Sequence, residues 1–470
     1  MSHFLTTSPI YSIARVVLEA TVPLAVSSGQ SNHVFDSDLV RDASGLPMIP
    51  GSATAGVLRH LYWREYGETE MQRIFGLQDG DIGGVSMVEV AAGVIHGASN
   101  TPAPAHYTSG DALLDFARAT RELPVYRDRV AISERGAAKE TGKFDRAILP
   151  AGFRFSVELV LHSMNAKDLA FARLLALLAH PLFRLGASTR AGLGAIRVVT
   201  IHTATLDLST TEGAESYRTI RPDIGSTVGL AEYKIPTTKD TPLTHHALQL
   251  TPIAAWRFGP DMRPRVEQRV HWLDNEGKTE GKLGAAEIVI PASSIKGALR
   301  HRAYFYACCA AGYFAGQAAD SAEQKTADAA INAIFGDASH NADGAEVGSV
   351  GNLIINDLYI PIPAPEENAI GVQQHNAIDR FSGGVRNRML FSEELLFAIK
   401  DPIKLDVWLD KARIGDNNKI GMTAVEGALA DLAAGRLALG GGASKGHGLF
   451  KGSQVTAPAS QKQTGEQHAA

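Results

Sequence analysis

Two short segments recur, in the same order, in the two halves of the chain. Residues 49–59 read IPGSATAGVLR and residues 290–300 read IPASSIKGALR. Residues 185–194 read LGASTRAGLG and residues 439–448 read LGGGASKGHG. One match would say little; two in the same order predict a duplicated domain. The first domain is expected at 1–205 and the second at 246–455. Residues 206–245, polar and Thr-rich, read as a linker able to drape over neighbouring surface. Residues 456–470 are small and polar and are expected to be disordered. A chain of 470 residues has room for two real cores.

Each half has an α+β texture. Strands are expected at 13–26, 153–163 and 195–208, and in the second half at 247–258, 352–360 and 403–409, from their β-branched content and partial alternation. Apolar residues at three- and four-residue steps predict helices at 57–67, 169–185, 295–314 and 423–437. The order strand, helix, strands, helix, strand predicts two tandem ferredoxin-like (RRM-like, βαββαβ) units with helices on one side of the sheet.

Composition excludes several alternatives. A net charge of -5 argues against a generally basic coat for nucleic acid, although a local basic groove is compatible with it. No run of about 18 apolar residues is present, so no membrane partner is expected. The N-terminal stretch lacks the basic, apolar and small order of a signal peptide, and a cytoplasmic protein is expected. Cys308 and Cys309 are adjacent and outside any CxxC pattern, which argues against both a disulfide and structural zinc.

The two recurring segments carry phosphate-directed chemistry. Pro50 and Pro291 end a strand, and Gly51, Ser52, Ser293 and Ser294 follow as small residues suited to a helix start. A helix start offers free N–H groups and a positive dipole end to a phosphate. Lys296 and Arg300 lie four apart on one helical face; Arg59 matches Arg300, and Ala55 stands where the lysine would be. An ordinary capped helix with exposed charges would show the same residues. In the second segment, Gly192, Gly194, Gly446 and Gly448 permit positive φ and close backbone approach, with Arg190 and Lys445 beside them. A tight helix-to-strand turn would also use such glycines. The segments end a helix rather than open one, which disfavours a dinucleotide-binding reading, and GxxxxGK[ST] is absent from both.

Taken together, these residues resemble the RAMP superfamily, the repeat-associated proteins of CRISPR effector complexes. The family signatures are an Ile-Pro-Gly-Ser-Ser-x-Lys-Gly-x-x-Arg segment and a C-terminal glycine-rich loop, and both occur twice here. Residues 130–151 and 376–394 resemble the segments of backbone subunits near a thumb-like hairpin insertion. Two copies in one chain resemble a fused double-backbone subunit of a type III-D-like system. The resemblance implies binding of CRISPR guide RNA, pairing with complementary target RNA, and contact with other CRISPR effector subunits. It further implies an endoribonuclease that cuts target RNA at flipped nucleotides through an aspartate ahead of the Ile-Pro segment. Asp36 matches that position and Asp42 a second acid, with Asp38 replacing the usual proline. Asp36 would deprotonate a ribose 2′-OH or seat Mg2+ or Mn2+. His33 lies three residues away.

In the second half the loop before Ile290 is longer, and Asp261 and Asp274 are the candidate acids. Arg263, Arg265 and Arg269 in the same loop suit phosphate contacts. Asp379 beside Arg380 suits a structural ion pair better than a metal site. Two alternatives stand beside the nuclease reading: a non-catalytic guide-RNA scaffold with the same fold, and a repeat-RNA-processing nuclease, which would normally rely on a histidine-centred site.

Overall fold

The structure is a computed structural model. It describes residues 8–29, 37–79, 82–132, 138–236, 243–259, 262–314, 316–318, 320–337, 348–415 and 417–455. The chain divides into two compact units. The first comprises Met1–Thr189, Leu193–Thr237 and Gln268–Ala285, and the second Arg190–Gly192, Thr238–Glu267 and Ala286–Ala470. The expected tail at 456–470 lies outside the described residues.

In the first unit, β1 (Ile10–Ala20) leads to α1 (Gly51–Tyr66) and α2 (Glu68–Phe75). There follow β2 (Val88–Val90), β3 (Val94–Ile95), α3 (Ala112–Ala119) and a hairpin of β4 (Tyr126–Ile132) with β5 (Ala138–Ala147). The unit closes with β6 (Arg154–Ser163), α4 (Ala170–Leu178) and β7 (Ile196–Asp207). The sheet order is β7-β1-β6-β2, every neighbouring pair antiparallel, with β3 also paired to β6. Two βαβ connections interleaved in this way make a ferredoxin-like sheet.

Residues 206–236, read from sequence as linker, are structured within this unit. Strand β7 continues to Asp207, α5 spans Thr211–Thr219, and β8 (Ala231–Glu232) pairs with β7. Tyr11, Ile13 and Val160 are buried against Leu208, Tyr217, Ile220 and Leu230. Side chains alternate between faces along a strand, and Ala14 and Val16, of opposite parity to Ile13, are buried as well. The segment therefore covers a second face of the sheet, and the helices do not all lie on one side. Arg15, 5% exposed, ties the cover down by donating to the carbonyls of Ser226 and Arg221, each at 2.6 Å.

The second half repeats this order with one strand pair added. Strand β9 (Leu243–Pro252) is followed by β10 (Val266–Asn275) and β11 (Lys278–Ile290), of which residues 268–285 belong to the first unit, and then by α6 (Ala292–Ala311) and α7 (Ala322–Phe335). Then come β12 (Leu353–Ile355), β13 (Leu358–Pro361), and a hairpin of β14 (Ile370–His375) with β15 (Phe391–Leu396). Strand β16 (Ile403–Asp410), α8 (Lys419–Ala433) and β17 (Phe450–Val455) complete it. The sheet order is β12-β16-β9-β17, the counterpart of β2-β6-β1-β7 in the first sheet, which also holds β3 and β8. Leu248 and Leu250 point into a core with Leu299, Ala303, Leu405 and Leu429, while Gln249 and Thr251 between and beyond them are exposed. Both expected thumb-like hairpins are thus present, at β4–β5 and β14–β15. No helix among the described residues is long and apolar enough to cross a membrane.

Candidate nucleic-acid interface

The Ile-Pro segments do start helices, but the caps are not the serines. Pro50 and Pro291 are the N-cap residues, and neither helix has a capping bond from its own cap side chain. Ser52 and Ser294 are exposed inside the first turn, and Ser293 is half-buried. In the second unit the first amide is satisfied from far along the chain: Ala292 N–H donates to Asp357 Oδ1 at 2.8 Å. Gly51 holds the matching place in the first unit, where a Cβ would lie 2.1 Å from the Val90 carbonyl oxygen. That position therefore demands close backbone approach.

The cations expected beside these helices are partly occupied. Lys296 Nζ donates to the carbonyls of Leu353 at 3.0 Å and Arg190 at 3.2 Å. Arg300 donates to the Gly336 carbonyl at 2.9 Å and to Asn332 Oδ1 at 2.8 Å, holding the end of α7. Arg59 is exposed, with its Nε 3.2 Å from the Met71 sulfur.

The glycine-rich segments have one backbone design. Positive φ occurs at Gly186, Ser188, Gly192 and Gly194, and at the four aligned positions Gly440, Gly442, Gly446 and Gly448. Their anchoring bonds match in pairs. Leu185 N–H donates to the Gly194 carbonyl at 2.9 Å, and Leu439 to Gly448 at 2.8 Å. Gly194 donates to Pro23 at 2.9 Å, and Gly448 to Ala255 at 2.8 Å. Ala187 donates to Ala25 at 2.8 Å, and Gly441 to Arg257 at 2.9 Å. A Cβ on Gly194 would sit 2.4 Å from the Leu185 oxygen, and one on Gly448 2.0 Å from the Leu439 oxygen. The amides of Leu193, Lys445, Gly446 and His447 also donate within their loops. These amides of the expected nest are thus engaged within the protein, and the glycines let the loop dock on the strand extension beside it. Gly192 is buried, and a Cβ there would meet Asp357 Oδ1 at 2.0 Å.

Charge enters from the hairpins. At the end of β5, half-buried Arg146 donates from Nη1 to Ser188 Oγ at 2.6 Å, at the left-handed position of the loop. Within β15, Glu393, with 1% of its side chain exposed, meets two cations and an imidazole. Arg257 donates from Nη2 at 2.7 Å and from Nε at 3.0 Å, Lys445 Nζ donates at 3.0 Å, and His375 Nε2 lies at 2.9 Å. Burial pushes the Glu393 carboxyl up, but Lys445 and Arg257 outweigh it and hold it at about 2. Arg257, Asp357, Arg146 and Glu393 were not singled out from sequence; only their distant partners reveal them.

The acids divide sharply. Asp36 (with His33) and Asp261 lie outside the described residues. Asp274 is exposed at the end of β10, where Oδ1 accepts from Thr279 Oγ1 at 2.5 Å. Asp42 is used locally, accepting the amides of Ser44 at 2.8 Å and Leu46 at 2.9 Å. Asp379 caps a turn through the amides of Phe381 and Ser382, which hold its pKa low, instead of pairing with Arg380. Arg263 is exposed, 3.3 Å from Glu394, and Arg265 is half-buried. Among the described residues no group of three or more His, Cys, Asp or Glu could hold a metal ion.

Fold and loops together define a protein of two tandem ferredoxin-like modules, each closed by the same glycine-rich loop. The model of the RAMP superfamily matches residues 17–197 and 284–451, and the chain belongs to that superfamily. No curated protein sequence matches it. Among solved structures it is similar to a chain of "Cryo-EM structure of the Type III-B Cmr-beta bound to cognate target RNA", at 15% identity and a TM-score of 0.30. The match covers 41% of this chain and 60% of that one, less than two thirds of its length.

Proposed function

We propose that this chain is a guide-RNA-binding backbone subunit of a type III CRISPR effector that cuts complementary target RNA at flipped nucleotides. The observation that carries the reading is the duplication: two RAMP-family regions, each with an Ile-Pro helix start and a loop docked through the same backbone bonds. A repeated RNA-holding module in one chain suits a ligand that is itself repetitive, a single strand read at regular steps. Hairpins β4–β5 and β14–β15 are the parts that would interrupt the guide–target pairing. Other effector subunits would extend the row.

For cleavage, Asp36 is the first acid, with Asp261 and Asp274 as candidates in the second half. The acid takes the ribose 2′-OH proton, the 2′ oxygen attacks the adjacent phosphorus to close a 2′,3′-cyclic phosphate, and the P–O5′ bond breaks with the 5′ oxygen taking a proton from water. Splaying the nucleotide out of the helix matters because in-line attack is blocked in regular A-form geometry. Dependence on Mg2+ or Mn2+ belongs to the same proposal and is tested with it.

The test is cleavage of guide-complementary RNA by the assembled effector, with added Mg2+, Mn2+ or chelator. Asp36→Ala should remove one set of products, and Asp261→Ala with Asp274→Ala another. If every wild-type product persists in the combined variant, these acids are not the catalysts. Stable target binding without products identifies a scaffold.

A further inference from the structure

The two modules carry opposite charges at one equivalent position. Arg146 pairs across its hairpin with Arg127, and Glu393 pairs across its hairpin with Gln373. Each is followed three residues later by the residue that bridges to the strand extension: Leu149 to Leu24, and Leu396 to Trp256. Each also reaches its own glycine-rich loop, Arg146 at Ser188 and Glu393 at Lys445. The surroundings then diverge. Glu393 is fully served by cations of its own unit. The Arg146 Nε is buried and has no hydrogen-bond partner among the described residues. Burial alone pushes the Arg146 pKa down, and its described partner is a neutral hydroxyl. A half-buried guanidinium with no carboxylate against it among the described residues is costly unless an anion completes it.

We infer that the modules are not equivalent here: the first presents Arg146 and Ser188 as a seat for a phosphate-type anion, and the second fills the same place with its own carboxylate, Glu393. Guanidinium and hydroxyl together offer convergent donors to one phosphate oxygen pair. Glu393 does for Arg257 and Lys445 what the incoming anion does for Arg146. In its RNA form the inference rests on the proposed function, with the anion being a backbone phosphodiester. The seat itself requires only the anion.

The test uses the full chain with two probes, a single-stranded RNA oligonucleotide and inorganic phosphate. Arg146→Met should weaken RNA binding roughly tenfold and reduce the salt slope by about 0.7. Arg413→Met, which removes an exposed cation elsewhere, is the charge-matched control. If the two variants bind RNA alike, the inference is overturned while the proposed function stands. Phosphate should slow hydrogen exchange at residues 185–194 but not at 439–448, and Arg146→Met should abolish the effect. Equal protection of both loops would show the modules to be equivalent and overturn the inference. Protection at 185–194 in a chain that binds no RNA would keep the seat and refute the RNA reading.

Discussion

Replacing Glu393 with Gln removes the carboxylate that Arg257 and Lys445 share. The side chain is 1% exposed, and its pKa falls from 4.5 to about 2. One pKa unit corresponds to about 1.4 kcal/mol, so the ionised carboxylate contributes on the order of 3 kcal/mol to the second unit. Breaking a buried pair from one side costs a similar amount, because the cations are left behind. The sign follows from the direction of the shift. The folded pKa lies below the unfolded value, so the contribution is fully present above the unfolded pKa and is lost as pH falls toward about 2. Urea unfolding, resolved by unit through peptide-level hydrogen exchange, should show Glu393→Gln less stable than wild type by about 3 kcal/mol near neutral pH. The deficit should shrink as the pH is lowered through the carboxylate range. A variant as stable as wild type at neutral pH, or a deficit that ignores pH, would refute the electrostatic account of this loop.

Other outcomes can be checked with the same measurements. Gly194→Ala and Gly448→Ala each force a Cβ against a carbonyl at positive φ, and should each cost on the order of 2–4 kcal/mol in their own unit. Gly56→Ala, in open space within α1, should instead stabilise by about 0.5–1 kcal/mol. His96 is 2% exposed, and burial pushes its pKa down to about 4. Because the unfolded imidazole binds a proton first, the first unit should lose stability as pH falls from 6.5 to about 4, and His96→Gln should flatten that loss. Arg300→Ala frees the Gly336 carbonyl and Asn332, and should destabilise the second unit by about 1–3 kcal/mol in urea unfolding.

What local pattern controls was legible in the sequence. The strand expected at 153–163 is β6, Arg154–Ser163, and the one expected at 195–208 is β7, Ile196–Asp207. Misjudged boundaries have local causes. The helix expected to run to 185 ends at Leu178, three residues before Pro181, which cannot continue it. Residues 352–360 look like one strand but break between Ile355 and Leu358, because Asp357 turns to cap Ala292. That cap spans 65 residues, so no local spacing could announce it. The same is true of Glu393, an unremarkable hairpin acid until Arg257 and Lys445 close around it. The repeated glycines of the two loops were legible in the sequence, whereas the backbone bonds that dock them were not. Several of the loops' amides are engaged in docking or in the loops' own turns, and charge also reaches the loops from the hairpins.

The central claim is that both modules hold one RNA strand. Nucleic acid extracted from the chain purified out of its native cell, then sequenced, tests it most directly. The account predicts short RNAs of uniform length with a shared repeat-derived end, released as salt is raised. A preparation that carries no RNA, or only a random mixture, would contradict it.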